Sequence, residues 1–242
     1  MRRVCVIMPA FNESASVGRV IETVRDVLPE AHIVVIDDGS TDATARLAER
    51  AGAVVVSLPF NLGIGGAVQT GLKYADRGGF DAAVEIDADG QHDPAFAVRL
   101  VAALGREADM VIGSRFTAAT KYRPGWLRLV GIRTFSFLIK LVTGKRVLDS
   151  TSGFRAYNQA ALAFLAWRYP ADFPEPESIV MLLNAGFKIQ EISTVMQTRQ
   201  AGESVIGRSD FSWRAAYFVL SNAIAILVSG LKEKRSLKHR AA

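Results

Sequence analysis

The sequence has 242 residues, of which 50% are apolar and 22% charged, with a formal net charge of +5. That is ordinary globular composition, with enough apolar material for a full core in one large domain or one domain with an elaborated half. A single cysteine, Cys5, excludes an intramolecular disulfide and sits in an apolar run, where a buried, inert thiol is expected.

Met1-Arg2-Arg3 precedes the apolar run Val4 to Met8, which is too short for a signal segment and is interrupted by Pro9, Asn12 and Glu13. The start therefore reads as a mature cytosolic protein that begins with a strand ending at Pro9. Ser14 to Leu28 has helical spacing at Val17, Ile21, Val24 and Leu28, with Ser14 or Ser16 as its cap. Ile33–Ile36 is a second buried strand, stopped by Asp37-Asp38-Gly39-Ser40, and Thr41 to Ala51 is an Ala-rich helix halted by Gly52. Val54–Leu58 is a third strand, Asn61 to Gly66 a glycine-rich turn, Ala67–Ala75 a helix, and Ala82–Ile86 a fourth strand running into Asp87.

Continuous apolar strands alternating with helices imply an α/β fold whose parallel sheet is covered on both faces. Such sheets bind ligands beyond the carboxyl ends of their strands, where Pro9–Glu13, Asp37–Ser40 and Asp87–Gln91 all fall. After Gly113-Ser114-Arg115 the pattern changes. Trp126 to Gly144 is a long apolar helix on which Arg133, Ser136 and Lys140 share a face, with Arg128 near its edge. A mixed region follows through Arg199.

Ala215–Leu231 is uncharged but shorter than the roughly 20 apolar residues a spanning helix needs. Its polar residues Ser221, Asn222 and Ser229 fall near one face, which favours an interfacial or a packed helix. Trp213 and Tyr217 stand where a headgroup belt would place them. The basic run Lys232 to Arg240 adds an attraction to an anionic membrane surface. Nucleic acid is the competing partner for a basic chain. No nucleic-acid motif is present, and the first half has no basic stripe interleaved with stacking aromatics.

Asp87 and Asp89, separated by Ala88 at a strand end, carry the first chemical signal. Two carboxylates so close repel unless a cation sits between them. Mg²⁺ or Mn²⁺ takes one or two carboxylates together with substrate phosphates, which suits a diphosphate-bearing ligand. A solvated acidic turn is the plain alternative, and His92 reads either as part of the site or as a loop histidine. Asp37 and Asp38 form a second pair able to bond ribose hydroxyls, with one of them expected to bind and the other to be structural. Asn61 to Gly66 matches neither a Walker loop nor a dinucleotide fingerprint.

Taken together, Pro9-Ala10-Phe11-Asn12-Glu13, Asp37 to Asp42, Asn61 to Gly71, Asp87 to Asp93 and Gly113-Ser114-Arg115 resemble glycosyltransferase family 2 and its GT-A fold. The second half looks like the polyprenyl-phosphate glycosyltransferases, through Asp149 to Arg155 and Arg199 to Ser204. The resemblance implies a Rossmann-like, mostly parallel sheet flanked by helices, with C-terminal membrane-associating helices. Residues 1–115 would form the nucleotide-sugar half, 116–210 the acceptor half of the same domain, and 211–242 an apolar helix with a basic tail.

The resemblance also implies roles. Pro9, Phe11, Glu13, Asp37, Asp38, Asn61, Gly66, Asp87, Ala88 and Asp89 would bind the nucleotide sugar. Asp87, Asp89 and Gln91 would hold Mg²⁺ or Mn²⁺, and Asp89 and Arg115 would act in catalysis. Arg115, Arg128, Arg133, Ser136 and Arg199 would meet the acceptor phosphate. Phe11 stands where the family usually has Tyr, and Glu203-Ser204-Val205 departs from the usual Ser-Lys ending.

The activity so implied is inverting transfer of a sugar from a nucleotide diphosphate to a polyprenyl phosphate at the cytoplasmic face of a membrane, peripheral or monotopic. A phosphate acceptor is already ionised and needs no general base, whereas a sugar hydroxyl would need one, with Asp149, Glu175 and Glu177 as candidates. Two alternatives remain at this stage: transfer to a glycan or other hydroxyl, and a non-catalytic nucleotide-sugar-binding membrane protein.

Overall fold

The computed structural model describes residues 2–105, 107–117, 126–172, 174–195 and 220–229, with 126–128 described by their backbone alone. The first half alternates as its apolar periodicity demands. Strand β1 (Val4–Ala10) leads to helix α1 (Val17–Val27), β2 (His32–Asp37), α2 (Thr44–Arg50), β3 (Val54–Ser57), α3 (Gly63–Arg77) and β4 (Ala82–Glu85). Then follow α4 (Ala95–Ala103), β5 (Met110–Ser114), α5 (Trp126–Thr143), β6 (Arg155–Asn158), α6 (Gln159–Ala166), α7 (Pro174–Asn184) and β7 (Ile189–Ser193).

All seven strands join one sheet in the order β3-β2-β1-β4-β6-β5-β7. Strand β6 runs antiparallel to both neighbours and the other pairings are parallel. Successive side chains of a strand point to opposite faces. Thus Cys5, Ile7, Val34 and Ile36 pack on one side with residues of α3, α5, α6 and α7, while Val6, Met8, Ile33 and Val35 pack on the other with α1 and α4. Cys5 is buried as expected, and burial pushes its thiol up to about 12.

Some boundaries differ from the sequence reading for local reasons. Strand β1 continues through Pro9 because its pairing with β4 ends at Ile7, so the missing N–H of Pro9 falls beyond that ladder. Strand β3 is an edge strand paired only with β2, which leaves Val54 40% exposed where an apolar run suggested burial on both faces. The glycine-rich segment after Asn61 opens α3 rather than forming only a turn. A Cβ at Gly65 would lie 2.2 Å from the Ala171 carbonyl oxygen, and one at Gly71 2.2 Å from Ile7 Cγ2. Those two glycines let the helix lie against its neighbours.

Of the C-terminal apolar segment, residues 220–229 form a helix. It packs through Asn222, Ile226 and Ser229, and the Ser229 hydroxyl donates to Glu177 in the first turn of α7. Its outer side carries Leu220, Ile224, Leu227 and Val228, all at least 40% exposed. The polar face recognised in the sequence is the packed face, and the apolar face looks outward. Among the described residues no helix is long and apolar enough to cross a membrane.

Candidate active site

Chain order places β2 and β3 on one side of β1 and β4 on the other, so the topology switches between β1 and β4. Ligands of open α/β sheets bind at such a switch, beyond the carboxyl ends of the strands. The ends of β2, β1 and β4 bring Asp37 and Asp38, Phe11 to Glu13, and Asp87 to Gln91 to this edge, as the sequence motifs required. Because β6 is reversed, its N-terminal end lies there too, with Arg155 opposite Glu85.

Asp87 keeps 34% of its side chain exposed. Asp89 is nearly buried, and one of its oxygens accepts the Gln91 N–H at 2.9 Å, which fixes the turn after β4. Beneath the pair, His92 accepts the Asp87 N–H on Nδ1 at 3.2 Å, so the neutral ring carries its proton on Nε2, 3.6 Å from Asp87 Oδ2. Burial pushes the His92 pKa down to about 4, and the ring stacks on Phe154 with centroids 4.8 Å apart. The neutral, buried imidazole is a strut for the acidic turn. Gly153 faces the same carboxylates, since a Cβ there would start 3.7 Å from both Asp87 Oδ2 and Glu85 Oε1.

Among the described residues no three acidic, His or Cys side chains form a ready cation cage. The donor set is therefore a pair of carboxylates at an open strand end. It fits Mg²⁺ or Mn²⁺, which complete their oxygen shell with water and ligand phosphates.

The two acids at the end of β2 separate cleanly. Asp38 accepts the N–H groups of Leu62 and Gly63 at 2.7 and 2.9 Å, so it anchors the start of α3. Among the described residues the Asp37 carboxylate accepts only the Ser40 N–H, at 3.3 Å on Oδ1. Asp38 is thus the structural member, while Asp37, equally buried, keeps more of its acceptor capacity. Asn61 accepts the Gly63 N–H at 3.0 Å and shares the anchoring, and Gly66 packs on Leu62. On the β1 side the Glu13 carboxylate accepts from Ser16 at 2.9 Å, while Phe11 is 45% exposed. Pro9 and Ala88 contribute the backbone that shapes the two strand ends.

Beyond β4 the site changes character. Arg115, only 2% exposed, grips Asp149 through Nε at 2.7 Å and Nη2 at 2.6 Å, and its own N–H also donates to that carboxylate. Nη2 reaches Thr151 as well, at 2.8 Å. Glu191 of β7 then accepts the N–H groups of Leu148 and Asp149, each at 2.8 Å, which pins the loop that carries Asp149. A fully buried carboxylate bonded in this way is not placed to accept a proton, so Asp149 drops out as a candidate base. Arg115, expected from the sequence to act in catalysis and meet the acceptor phosphate, is buried and spends much of its donor capacity inside the protein.

Beside Phe116 a groove of about 550 Å³ runs along α5. Arg133, Ser136 and Lys140 line it, as their shared helical face requires, together with Arg146 and apolar walls from Leu129, Ile132 and Leu148. Arg146 and Glu191 were not singled out in the sequence. Ile189-Gln190-Glu191-Ile192 has no period-two alternation, so the sequence carries no local signal for Glu191. The Arg128 side chain and Arg199 lie outside the described residues.

One further network lies below the acidic turn. Glu85 is buried and accepts the Tyr157 hydroxyl at 3.1 Å, and burial pushes its pKa up to about 8 against the pull of Arg155. Arg155 in turn donates to the carbonyls of Ser152, Ser150 and Glu175 and to the Ser178 hydroxyl. It ties the loop before β6 to the start of α7. Glu175, raised by the same desolvation, borders this network.

The comparisons with known proteins agree with this geometry. The family model described as glycosyl transferase family 2 matches residues 5–165. The chain is 29% identical over 232 residues to polyprenol monophosphomannose synthase of Mycolicibacterium smegmatis, covering 86% of this chain and 83% of that protein. It is 35% identical over 167 residues to undecaprenyl-phosphate mannosyltransferase of Micrococcus luteus, covering 66% and 68% respectively. The crystal structure of glucosyl-3-phosphoglycerate synthase from Mycobacterium tuberculosis, in complex with Mn²⁺, UDP-glucose and phosphoglyceric acid, superposes with a TM-score of 0.66. It is 23% identical and covers 96% of this chain and 79% of that one, a likeness of fold. The chain belongs to glycosyltransferase family 2 and is a glycosyltransferase with the GT-A architecture.

Proposed function

We propose that the enzyme transfers a sugar, with inversion, from a nucleoside-diphosphate sugar to a polyprenyl phosphate at a membrane surface. The observation that carries this reading is the α5 groove. Cations from Arg133, Lys140 and Arg146 sit against apolar walls beside the Arg115 end of β5, a combination suited to a phosphate on an apolar chain. Two relatives bear a polyprenol or undecaprenyl phosphate reaction in their names, in line with that acceptor class.

In this reading Phe11 stacks on the base and Asp37 accepts from the ribose, both at the β1–β2 side of the switch point. Asp87 and Asp89, with Gln91, hold Mg²⁺ or Mn²⁺. A divalent cation there supplies Lewis-acid stabilisation of the leaving diphosphate. The protein itself aligns the reactants. The acidic turn is fixed by His92 and the Asp89–Gln91 bond, and the acceptor phosphate is drawn along α5 toward Arg115. An ionised phosphate attacks without a general base, consistent with the buried, bonded state of Asp149.

The outward apolar side chains of helix 220–229, and on α5 the exposed Phe137 and Leu141 with the basic Arg133 and Lys140, support peripheral attachment to an anionic membrane. The test is transfer of label from a radiolabelled nucleotide sugar with polyprenyl phosphate and Mn²⁺ present, followed by organic-solvent extraction. Label is expected in the organic phase. Label that stays aqueous with polyprenyl phosphate, while a glycan acceptor becomes labelled, overturns the lipid acceptor.

A further inference from the structure

At the opposite, N-terminal edge of the sheet lies a second cavity of about 600 Å³ that plays no part in the reaction described above. Its walls include Arg3, which precedes β1, His32 at the start of β2, Lys73, Tyr74 and Arg77 from the end of α3, and Phe80. None of its lining residues is acidic. Among the described residues neither neighbouring acid forms an ion pair with these cations: Asp81 accepts the Arg3 backbone N–H at 2.7 Å and Asp76 the Trp167 Nε1–H at 3.3 Å.

The cations are held in place by rings and backbone rather than by counter-charges. The Arg3 guanidinium lies 5.0 Å from the Phe80 ring centre, and its Nη1 donates to the Gly79 carbonyl at 3.3 Å. Lys73 and Arg77, one helical turn apart, both ride on the Trp167 ring at 5.5 and 5.2 Å. His32 stacks on Tyr74 and bonds its hydroxyl at 2.9 Å, which stiffens the floor between them. The last turn of a helix favours a cation, and that accounts for Arg77. It does not account for Arg3, which arrives from another element and meets the same cavity.

We propose that this cavity is a binding site for a small phosphorylated anion, separate from the donor site. Guanidinium forks and an ammonium group preorganised without carboxylate partners are the donor set phosphate selects. The volume lies within the range of small-molecule sites, and the Tyr74 and Phe80 rings leave room for an apolar or planar body beside the phosphate. Separation from the donor edge follows from α3 itself. Asp38 anchors its first turn at that edge while Lys73 and Arg77 lie near its other end, so its 15 residues span about 22 Å. The proposal does not depend on which acceptor the enzyme uses.

Calorimetric titration of the full chain with inorganic diphosphate, in EDTA so that no cation bridges the donor site, tests it. Wild type and Asp89→Ala are expected to bind diphosphate alike. The Lys73→Gln/Arg77→Gln double variant, whose aliphatic stems still cover Trp167, is expected to bind at least tenfold more weakly with an unchanged melting temperature. Arg3→Gln provides an independent variant from another element and should weaken binding as well, while Arg77→Lys should retain most of it. Absence of binding to wild type, undiminished binding to the double variant, or loss of binding in Asp89→Ala overturns the site.

Discussion

At the end of β4 the Asp87 carboxylate keeps about a third of its side chain in solvent, whereas at the end of β5 Arg115 and the Asp149 it grips are almost wholly buried. Both clusters stand on the same sheet edge, two strands apart. In the first, the Asp87 carboxylate is partly open to solvent, a buried imidazole accepts the Asp87 N–H, and Asp89 accepts the Gln91 N–H. In the second, charge is cancelled internally and locked by Glu191 through two further N–H bonds. The difference separates what a charged residue at a site edge can do. In the proposed reading the β4 acids meet a ligand cation, while the β5 pair fixes the loop that carries Asp149.

If that contrast holds, stability and activity should split between the two clusters. Asp149→Ala leaves a buried guanidinium without its partner, a loss of about 3–5 kcal/mol. For a chain of this size that lowers the melting temperature on the order of 10 °C, measurable by calorimetry or dichroism. The double variant Arg115→Met/Asp149→Leu should recover part of that loss without recovering transfer, because matched apolar groups replace the pair while the loop geometry is gone. A melting temperature unchanged by Asp149→Ala would show that the pair is not structural and would erase the contrast.

Asp89→Ala should do the reverse. Transfer is expected to fall at least about a hundredfold, near 2.7 kcal/mol of transition-state stabilisation, with a melting temperature close to wild type. Adding Mn²⁺ should not restore the rate. Full transfer by Asp89→Ala in the presence of metal would remove the acidic pair from the mechanism.

The asymmetry also explains which parts could be read from the sequence. Strands β1, β2 and β4 were legible because each is an apolar run ended by a polar motif, and such runs at a parallel-sheet edge announce both fold and site. The Arg133/Ser136/Lys140 face was legible because helical periodicity is local. What stayed hidden depends on partners distant in the chain. The role of Glu191 depends on Leu148 and Asp149, more than 40 residues earlier, and β6 is a four-residue strand whose place between β4 and β5 no local pattern encodes. The reason for Gly65 is an Ala171 carbonyl, so the glycine run could be seen as special but not as the close-packed start of a helix.

The finest test of the contrast lies within one motif, between neighbours of the same residue type. Asp38 spends both oxygens on the N–H groups of Leu62 and Gly63, while Asp37 spends one on Ser40. Asp38→Ala removes the acceptor for two N–H groups at the start of α3, equivalent to losing a helix cap, and should cost about 1–2 kcal/mol of stability. Asp37→Ala should leave the melting temperature near wild type and raise the donor KM, because the ligand loses an acceptor that the fold does not need. Steady-state kinetics with varied nucleotide sugar, run beside thermal melts of both variants, separates them. If the two substitutions lower stability equally and leave donor KM alone, then both aspartates serve α3, and the donor edge must take its ribose contact from elsewhere on β1 or β2.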